Sequence, residues 1–134
     1  MKPSAGCSSM PRAFTGRVVR GVGRGKKLGI PTANLDVAEH DELPLGVFVA
    51  RVTGHMLNGQ VAVANIGTRP TFSEKELSIE LHILDFTGDV YGIELQVELL
   101  SLLRNEREFA NVEDLKKQIA LDIKQARRCL RSEI

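Results

Sequence analysis

The clearest two-residue alternation in this chain is Ile93-Glu94-Leu95-Gln96-Val97-Glu98-Leu99. Its odd-numbered positions are apolar and its even-numbered positions polar, so a strand here packs one face against a core and presents the other to solvent. The same period recurs through the middle of the sequence, where clusters of Gly, Asn and Asp interrupt it at short intervals. This pattern predicts an antiparallel β-barrel.

The alternation predicts five strands, or six if residues 32–35 form a short one. Turn-like residues at 54–59 and 85–89 separate neighbouring strands. The five strands are residues 16–20, 46–53, 60–66, 77–84 and 93–100.

After Asn111 the period lengthens to three and four residues, which predicts a helix. Asn111, with Asp114 three residues later, is a typical helix start. We expect this helix to pack on the barrel, because an amphipathic helix must bury its apolar stripe. The stripe consists of Val112, Leu115, Ile119, Ile123, Ala126 and Leu130. The predicted fold class is mainly β with one C-terminal α-helix.

Length limits the chain to one core. At 134 residues we expect a single domain, residues 14–134, and no second catalytic domain. Residues 1–13 hold too few apolar side chains to pack, and they are predicted to be a flexible arm. The sequence leaves open whether residues 1–12 belong to the natural protein.

Charge and cysteine content argue against several classes of function. Lys and Arg number 18 against 17 Asp and Glu, a net charge of +1 that provides no global field for nucleic acid or an anionic membrane. Cys7 and Cys129 lie at opposite ends without metal-ligand spacing, so we expect reduced thiols and no zinc site. Neither a signal-peptide core nor a span of about 18 apolar residues is present. We therefore expect a cytoplasmic protein. We also expect it to be a monomer.

A glycine- and lysine-rich segment lies near the N-terminus: Gly21-Val22-Gly23-Arg24-Gly25-Lys26-Lys27-Leu28-Gly29-Ile30-Pro31-Thr32-Ala33-Asn34. Glycines allow backbone N–H groups to face an anion, and the cations neutralise its charge. The spacing fits neither a P-loop nor a Rossmann fingerprint, because only three residues separate Gly21 from Gly25 and Pro31 leads into extended chain. The segment is therefore either a solvated hairpin or a polyphosphate site in which Thr32 and Asn34 supply hard oxygen ligands for Mg²⁺.

Four further blocks follow this segment along the chain. They are Pro44-Leu45-Gly46-Val47-Phe48, Ala64-Asn65-Ile66-Gly67-Thr68-Arg69-Pro70-Thr71-Phe72, Glu80-Leu81-His82-Ile83-Leu84-Asp85-Phe86-Thr87-Gly88-Asp89-Val90-Tyr91-Gly92 and Leu103-Arg104-Asn105-Glu106-Arg107-Glu108-Phe109. Together the five blocks resemble the riboflavin kinase family, the ATP-dependent flavokinases that occur as the C-terminal module of bacterial bifunctional enzymes and as stand-alone eukaryotic enzymes. The resemblance covers residues 16–130 and implies a closed six-stranded antiparallel Greek-key β-barrel with a C-terminal α-helix packed on it.

The resemblance also implies an activity, the Mg²⁺-dependent transfer of the γ-phosphate of ATP to the 5′-hydroxyl of riboflavin, which gives FMN and ADP. Glu80 matches the family's catalytic base, although by itself it reads as a solvated strand residue. Thr32 and Asn34 match residues that bind ATP and ligate Mg²⁺. The phosphate loop corresponds to Gly21, Gly23, Gly25 and Lys27, and the adjacent Lys26 leaves open which lysine contacts phosphate.

Arg104, Arg107 and Phe109 follow the last predicted strand in a loop that, by resemblance, closes on the flavin. From the residues alone, Phe109 either covers the isoalloxazine ring or staples the helix start to the core. His82 shares a strand face with Glu80 but has no role in the family, so we expect a packed or a surface histidine. The expected partners are riboflavin and ATP, without nucleic acid or membrane. Two alternatives stay open, namely a non-catalytic flavin-binding or regulatory barrel and a kinase with a different nucleotide donor.

Overall fold

The computed structural model describes residues 12–19, 32–37, 43–70, 75–86, 90–107 and 109–132. Within these ranges the chain forms six strands and one helix. They are β1 (Arg12–Val19), β2 (Ala33–Asp36), β3 (Gly46–Gly54), β4 (Leu57–Pro70), β5 (Lys75–Ile83), β6 (Glu94–Arg104) and α1 (Val112–Ser132). The strands pair antiparallel in the order β1-β2-β5-β4-β3-β6, and β6 also pairs with β1, which closes the barrel. Because β3, β4 and β5 form a meander and β6 returns beside β3, the topology is a Greek key.

The predicted fold class is confirmed, and several strands are longer than predicted. β4 continues to Pro70 although Gly and Pro are poor strand formers, because residues 67–70 stay paired with β5. β6 likewise continues to Arg104, which pairs with β3. The turn between β3 and β4 is shorter than the predicted 54–59, since only His55 and Met56 form it and His55 takes a φ of 54°.

The barrel interior is the main hydrophobic core. Leu95, Val97 and Leu99 of β6 are fully buried and the residues between them are exposed, as the alternation predicts. Burying each such side chain stabilises the fold by roughly 1.5–3 kcal/mol. The same cluster includes Phe14, Leu35, Phe48, Ala64, Ile66, Ile79 and Leu81. The outward-facing positions therefore do not contribute to this core.

Helix α1 covers one side of the barrel. Its start is capped as predicted, because Asn111 Oδ1 accepts a hydrogen bond of 2.9 Å from the Asp114 N–H. A second apolar cluster joins Val47, Val49, Val63 and Leu84 to Ala126, with Ile123 and Cys129 packed against it. Val112 was predicted to belong to the buried stripe but is 58% exposed, since the clustered contacts lie further along the helix. No helix in the described residues combines the length and apolar character that crossing a bilayer requires.

An ion pair joins the helix to the turn that follows β5. Arg127 donates from Nη1 and Nη2 to the two carboxylate oxygens of Asp85, at 2.7 and 2.9 Å. These hydrogen bonds, together with the attraction between the opposite charges, lower the pKa of Asp85 and raise that of Arg127. Both side chains are largely exposed, so the pair fixes orientation more than it adds stability.

Candidate active site

Three polar side chains lie side by side on the outer surface of the barrel. Asn34 of β2 pairs with Glu80 of β5, and Glu80 pairs on its other side with Asn65 of β4. Directly opposed residues of antiparallel strands share one face of the sheet, with Cβ atoms about 4.5–5.5 Å apart. Their sequence neighbours Leu35 and Leu81 are buried inside the barrel, so the three residues face outward. We call Asn34, Glu80 and Asn65 the polar row, in which rigid strands hold a carboxylate between two amides.

Beyond Asn65, the line of paired residues crosses β3 at Val47 and reaches Arg104 at the end of β6. Arg104 Nε and Nη2 donate to Oδ1 and Oδ2 of Asp122 in α1, each at 2.9 Å. The Asp122 side chain is 3% exposed and that of Arg104 19%. Gln118 Nε2 donates a further hydrogen bond of 3.0 Å to Asp122. This bidentate pair therefore fixes the guanidinium plane and ties the end of β6 to the helix.

The loop after β6 carries an aromatic ring between two cations. The Arg107 Cζ lies 4.6 Å from the centroid of the Phe109 ring, and the Arg104 Cζ lies 5.8 Å from it. Both distances suit cation–π contacts. The three residues predicted to bind flavin are thus neighbours. The prediction that Arg104 follows the last strand was wrong, because pairing with Val47 makes it the final residue of β6.

Phe109 is half-buried, and within the described residues it joins neither apolar cluster. A helix-start staple needs an apolar partner on the core side. The ring contacts found for Phe109 are instead with guanidinium groups. These contacts favour a covering role for the ring over the staple alternative.

The same loop lies against β4 near the polar row. Gly67 is two residues after Asn65 and faces the same side of the strand. A Cβ at Gly67 would overlap the carboxylate of Glu106. Only glycine allows so close an approach, so Glu106 of the loop after β6 borders the polar row.

Two polar groups beside Glu80 are buried. Asn65 Oδ1 is inaccessible to solvent and has no hydrogen-bond partner in the described structure. His82 lies two residues from Glu80 on the same face, is 8% exposed, and is opposite Val63, which belongs to the cluster under α1. His82 is therefore a packed histidine, one of the two predicted alternatives.

Comparison with known proteins identifies the family. A Flavokinase family model, described as riboflavin kinase, matches residues 8–130, a range that includes all six strands, the polar row and the loop after β6. The chain belongs to the riboflavin kinase family. The riboflavin kinase from Trypanosoma brucei has the same fold, with a TM-score of 0.68 and 23% identity, and the match covers 90% of this chain and 78% of that one.

Two curated relatives extend the comparison. The bifunctional riboflavin kinase/FMN adenylyltransferase of Escherichia coli K12 is 42% identical over 112 residues, which is 84% of this chain. The RNA-binding riboflavin kinase RibR of Bacillus subtilis strain 168 is 41% identical over 112 residues, or 82% of this chain. The riboflavin kinase domain described here spans 36% of the length of the first relative and 47% of the second.

Only some of the residues predicted to bind the nucleotide lie within the described ranges of this riboflavin kinase domain. Gly21, Gly23, Gly25, Lys26 and Lys27 lie outside the described residues. Thr32 immediately precedes β2 and is half-buried, and Asn34 belongs to the polar row. The described residues hold no group of three or more His, Cys, Asp or Glu side chains suited to a metal ion. The hydroxyl and amide oxygens of Thr32 and Asn34 nevertheless fit Mg²⁺, which takes hard oxygen ligands and keeps several waters.

Sequence reasoning missed three residues that contact the candidate site residues or lie beside them, namely Asn65, Glu106 and Asp122. The sequence does contain a clue to Asn65, because it is the one polar side chain in the run Val61-Ala62-Val63-Ala64-Asn65-Ile66. A clue to Asp122 is its place between Ile119 and Ala126 on the buried side of the helix, where a charged side chain requires a partner. Nothing in the sequence pairs Glu106 with Gly67, since that contact depends on the path of the loop.

Proposed function

We propose that this chain catalyses the Mg²⁺-dependent transfer of the γ-phosphate of ATP to the 5′-hydroxyl of riboflavin, forming FMN and ADP. The observation that carries the proposal is Glu80, held on a strand beside Asn34 in a chain of the riboflavin kinase family. A flavin-binding barrel without turnover would need neither a base nor a metal ligand next to it.

Glu80 acts as the general base in this proposal. Its carboxylate accepts the proton of the 5′-hydroxyl while that oxygen bonds to the γ-phosphorus and the bond to the leaving ADP oxygen breaks. A base on a strand is aimed more precisely than one on a loop. Its cross-strand neighbours Asn34 and Asn65 are uncharged, so they add no second negative charge beside the reacting phosphate.

The nucleotide side of the site is assigned to the segment that leads into β2. Thr32 and Asn34 would hold Mg²⁺, which when bound neutralises phosphate charge and orients the oxygens. Gly21, Gly23, Gly25 and Lys27 would bind the phosphates through backbone N–H groups and one ammonium. Positioning and charge stabilisation then supply most of the rate enhancement.

The flavin side is assigned to the loop after β6. Phe109 would lie against the isoalloxazine ring, and Arg107 would donate hydrogen bonds to the ring carbonyls. Arg104 also belongs to this group, although Asp122 already engages its Nε and Nη2 donors. We infer that Arg104 contributes mainly by holding the Phe109 ring in place.

We further propose that the chain acts as a cytoplasmic monomer on small molecules, because both ATP and its acceptor are supplied there. We propose no nucleic-acid partner, because a net charge of +1 provides little electrostatic attraction for a polyanion.

The direct experiment is to incubate the purified chain with riboflavin and MgATP and to separate flavins by chromatography. FMN formation with ATP supports the proposal, and repeating the reaction with other nucleoside triphosphates ranks the donors. Tight riboflavin binding without FMN from any donor would favour the non-catalytic barrel instead.

A further inference from the structure

The buried side-chain oxygen of Asn65 is an acceptor for which the described structure provides no donor. Asn65 Oδ1 is sealed from solvent and makes no hydrogen bond there. An unpaired buried acceptor costs stability, so it is expected to persist only where function requires it. The group lies in the centre of the outer face, directly opposite the proposed base Glu80.

The side chains around Asn65 explain why its oxygen is unpaired. On one side is Glu80, on the other is Val47, and the Glu106 carboxylate lies over Gly67, the next outward position along β4. An ionised carboxylate only accepts hydrogen bonds, and valine does neither. These described neighbours therefore leave the Asn65 oxygen in need of a donor, which a ligand hydroxyl would supply.

A polyol fits this requirement, because every hydroxyl both donates and accepts. One hydroxyl of such a chain can donate to Asn65 while its neighbour donates to the carboxylate on the adjacent strand. The two side chains are a directly opposed pair, with Cβ atoms about 4.5–5.5 Å apart, which suits adjacent hydroxyls on one carbon chain. A ligand that enters must displace the loop that carries Glu106, since this loop lies against the same strand face.

We propose that Asn65 binds the ribityl chain of riboflavin by accepting a hydrogen bond from one of its hydroxyls, and so presents the terminal hydroxyl to Glu80. This inference rests on the proposed function. It assigns to Asn65 the recognition of the polyol, separate from the recognition of the flavin ring by the loop after β6. Removing Asn65 should then weaken only ligands that carry the polyol.

Riboflavin and lumiflavin separate these two kinds of recognition, because lumiflavin has the same ring with a methyl group in place of the ribityl chain. Dissociation constants for both flavins would be measured by flavin fluorescence with MgADP present. In Asn65→Leu we expect riboflavin to bind about three- to tenfold more weakly, the effect of one lost hydrogen bond. Lumiflavin should bind as it does to the native chain. Asn58→Leu, the same change at an exposed position of β4, is the matched control and should alter neither constant.

A second pair of variants keeps the test decisive if Asn65→Leu does not fold. Asn65→Ala removes the amide with less bulk and should show the same selective loss, whereas Asn65→Asp retains an acceptor oxygen and should keep the native ratio of the two constants. Equal weakening of both flavins, or no weakening, would overturn the inference. A native chain that binds riboflavin but forms no FMN would instead refute the kinase proposal and leave this binding test valid.

Discussion

Glu80 is the residue on which the proposed chemistry depends most. Glu80→Gln keeps the shape of the side chain and removes the proton acceptor, so kcat should fall by roughly 10²-fold or more. The riboflavin KM and the melting temperature should stay close to native values. Glu98→Gln, an exposed glutamate on β6, is the matched control and should leave kcat unchanged. A Glu80→Gln enzyme with kcat within a few-fold of native would rule out this residue as the base.

Thr32 and Asn34 make a separate prediction about the metal. Thr32→Val and Asn34→Leu each remove one oxygen ligand, so both should raise the Mg²⁺ concentration needed for half-maximal activity and weaken ATP binding. Riboflavin binding in the absence of nucleotide should change little. Titration of Mg²⁺ alongside circular dichroism separates loss of a ligand from misfolding. Unchanged Mg²⁺ dependence in a folded variant would contradict the metal assignment.

At the residue scale, part of the site could be predicted from sequence. Period-2 alternation correctly put Glu80 and His82 on the face opposite Ile79 and Leu81. The neighbour of Glu80 across the sheet could not be read in this way, because it depends on the register between β4 and β5. Asn65 became a candidate only once that register was known.

Among the elements, the loop after β6 is the most informative to perturb. If Phe109 covers the flavin, Phe109→Ala should raise the riboflavin KM and leave the ATP KM nearly unchanged. If it is a staple, the melting temperature should fall and both KM values should change alike. Steady-state kinetics in each substrate, together with a thermal melt, distinguish the two results. Leu45→Ala, which truncates an exposed apolar side chain in another loop, controls for nonspecific effects.

The contact between β6 and α1 gives a stability prediction. Asp122→Ala leaves the Arg104 guanidinium poorly paired, so the free energy of unfolding should fall by about 3 kcal/mol. This value is at the lower end of the range for breaking a buried ion pair, because Arg104 is partly exposed. Urea denaturation followed by circular dichroism measures this change. Asp36→Asn, an exposed aspartate on β2, should cost about 0.5 kcal/mol or less.

A double variant tests the interpretation of that loss. Replacing both partners, as in Arg104→Met with Asp122→Leu, removes the unpaired charge and should recover part of the lost stability. If the single variant is as stable as the native chain, the ion pair does not hold the helix to the barrel.

At the scale of the elements, the alternation identified five strands and the helix, left the short β2 open, and misplaced several ends. Gly67 and Pro70 lie beyond the predicted strand end at residue 66, yet pairing with β5 keeps them in β4. Arg104 was predicted to lie in the loop after the last strand, yet its pairing with Val47 of β3 keeps it in β6. Strand ends depend on whether a partner strand continues alongside, and local propensity does not contain that information.

In the whole molecule, closure of the barrel assembles the site. Pairing of β1 with β6 leaves the sheet without a free edge and seals the apolar interior. The Greek-key order then sets β2, β5 and β4 side by side, although residue 34 is 46 positions from residue 80 in the chain. The polar row therefore depends on pairing between strands that are distant in the sequence.

The sequence by itself determined the fold class, the helix with its Asn111 cap, and the family, because alternation, capping and local motifs are short-range properties of the chain. Only the tertiary structure decided that Asn65 lies beside Glu80, that Arg104 is held by Asp122, and that Glu106 lies over Gly67. Each of these contacts joins residues on different elements. They depend on strand register and on how the helix and its loop pack against the barrel, which are long-range consequences of burying one common core.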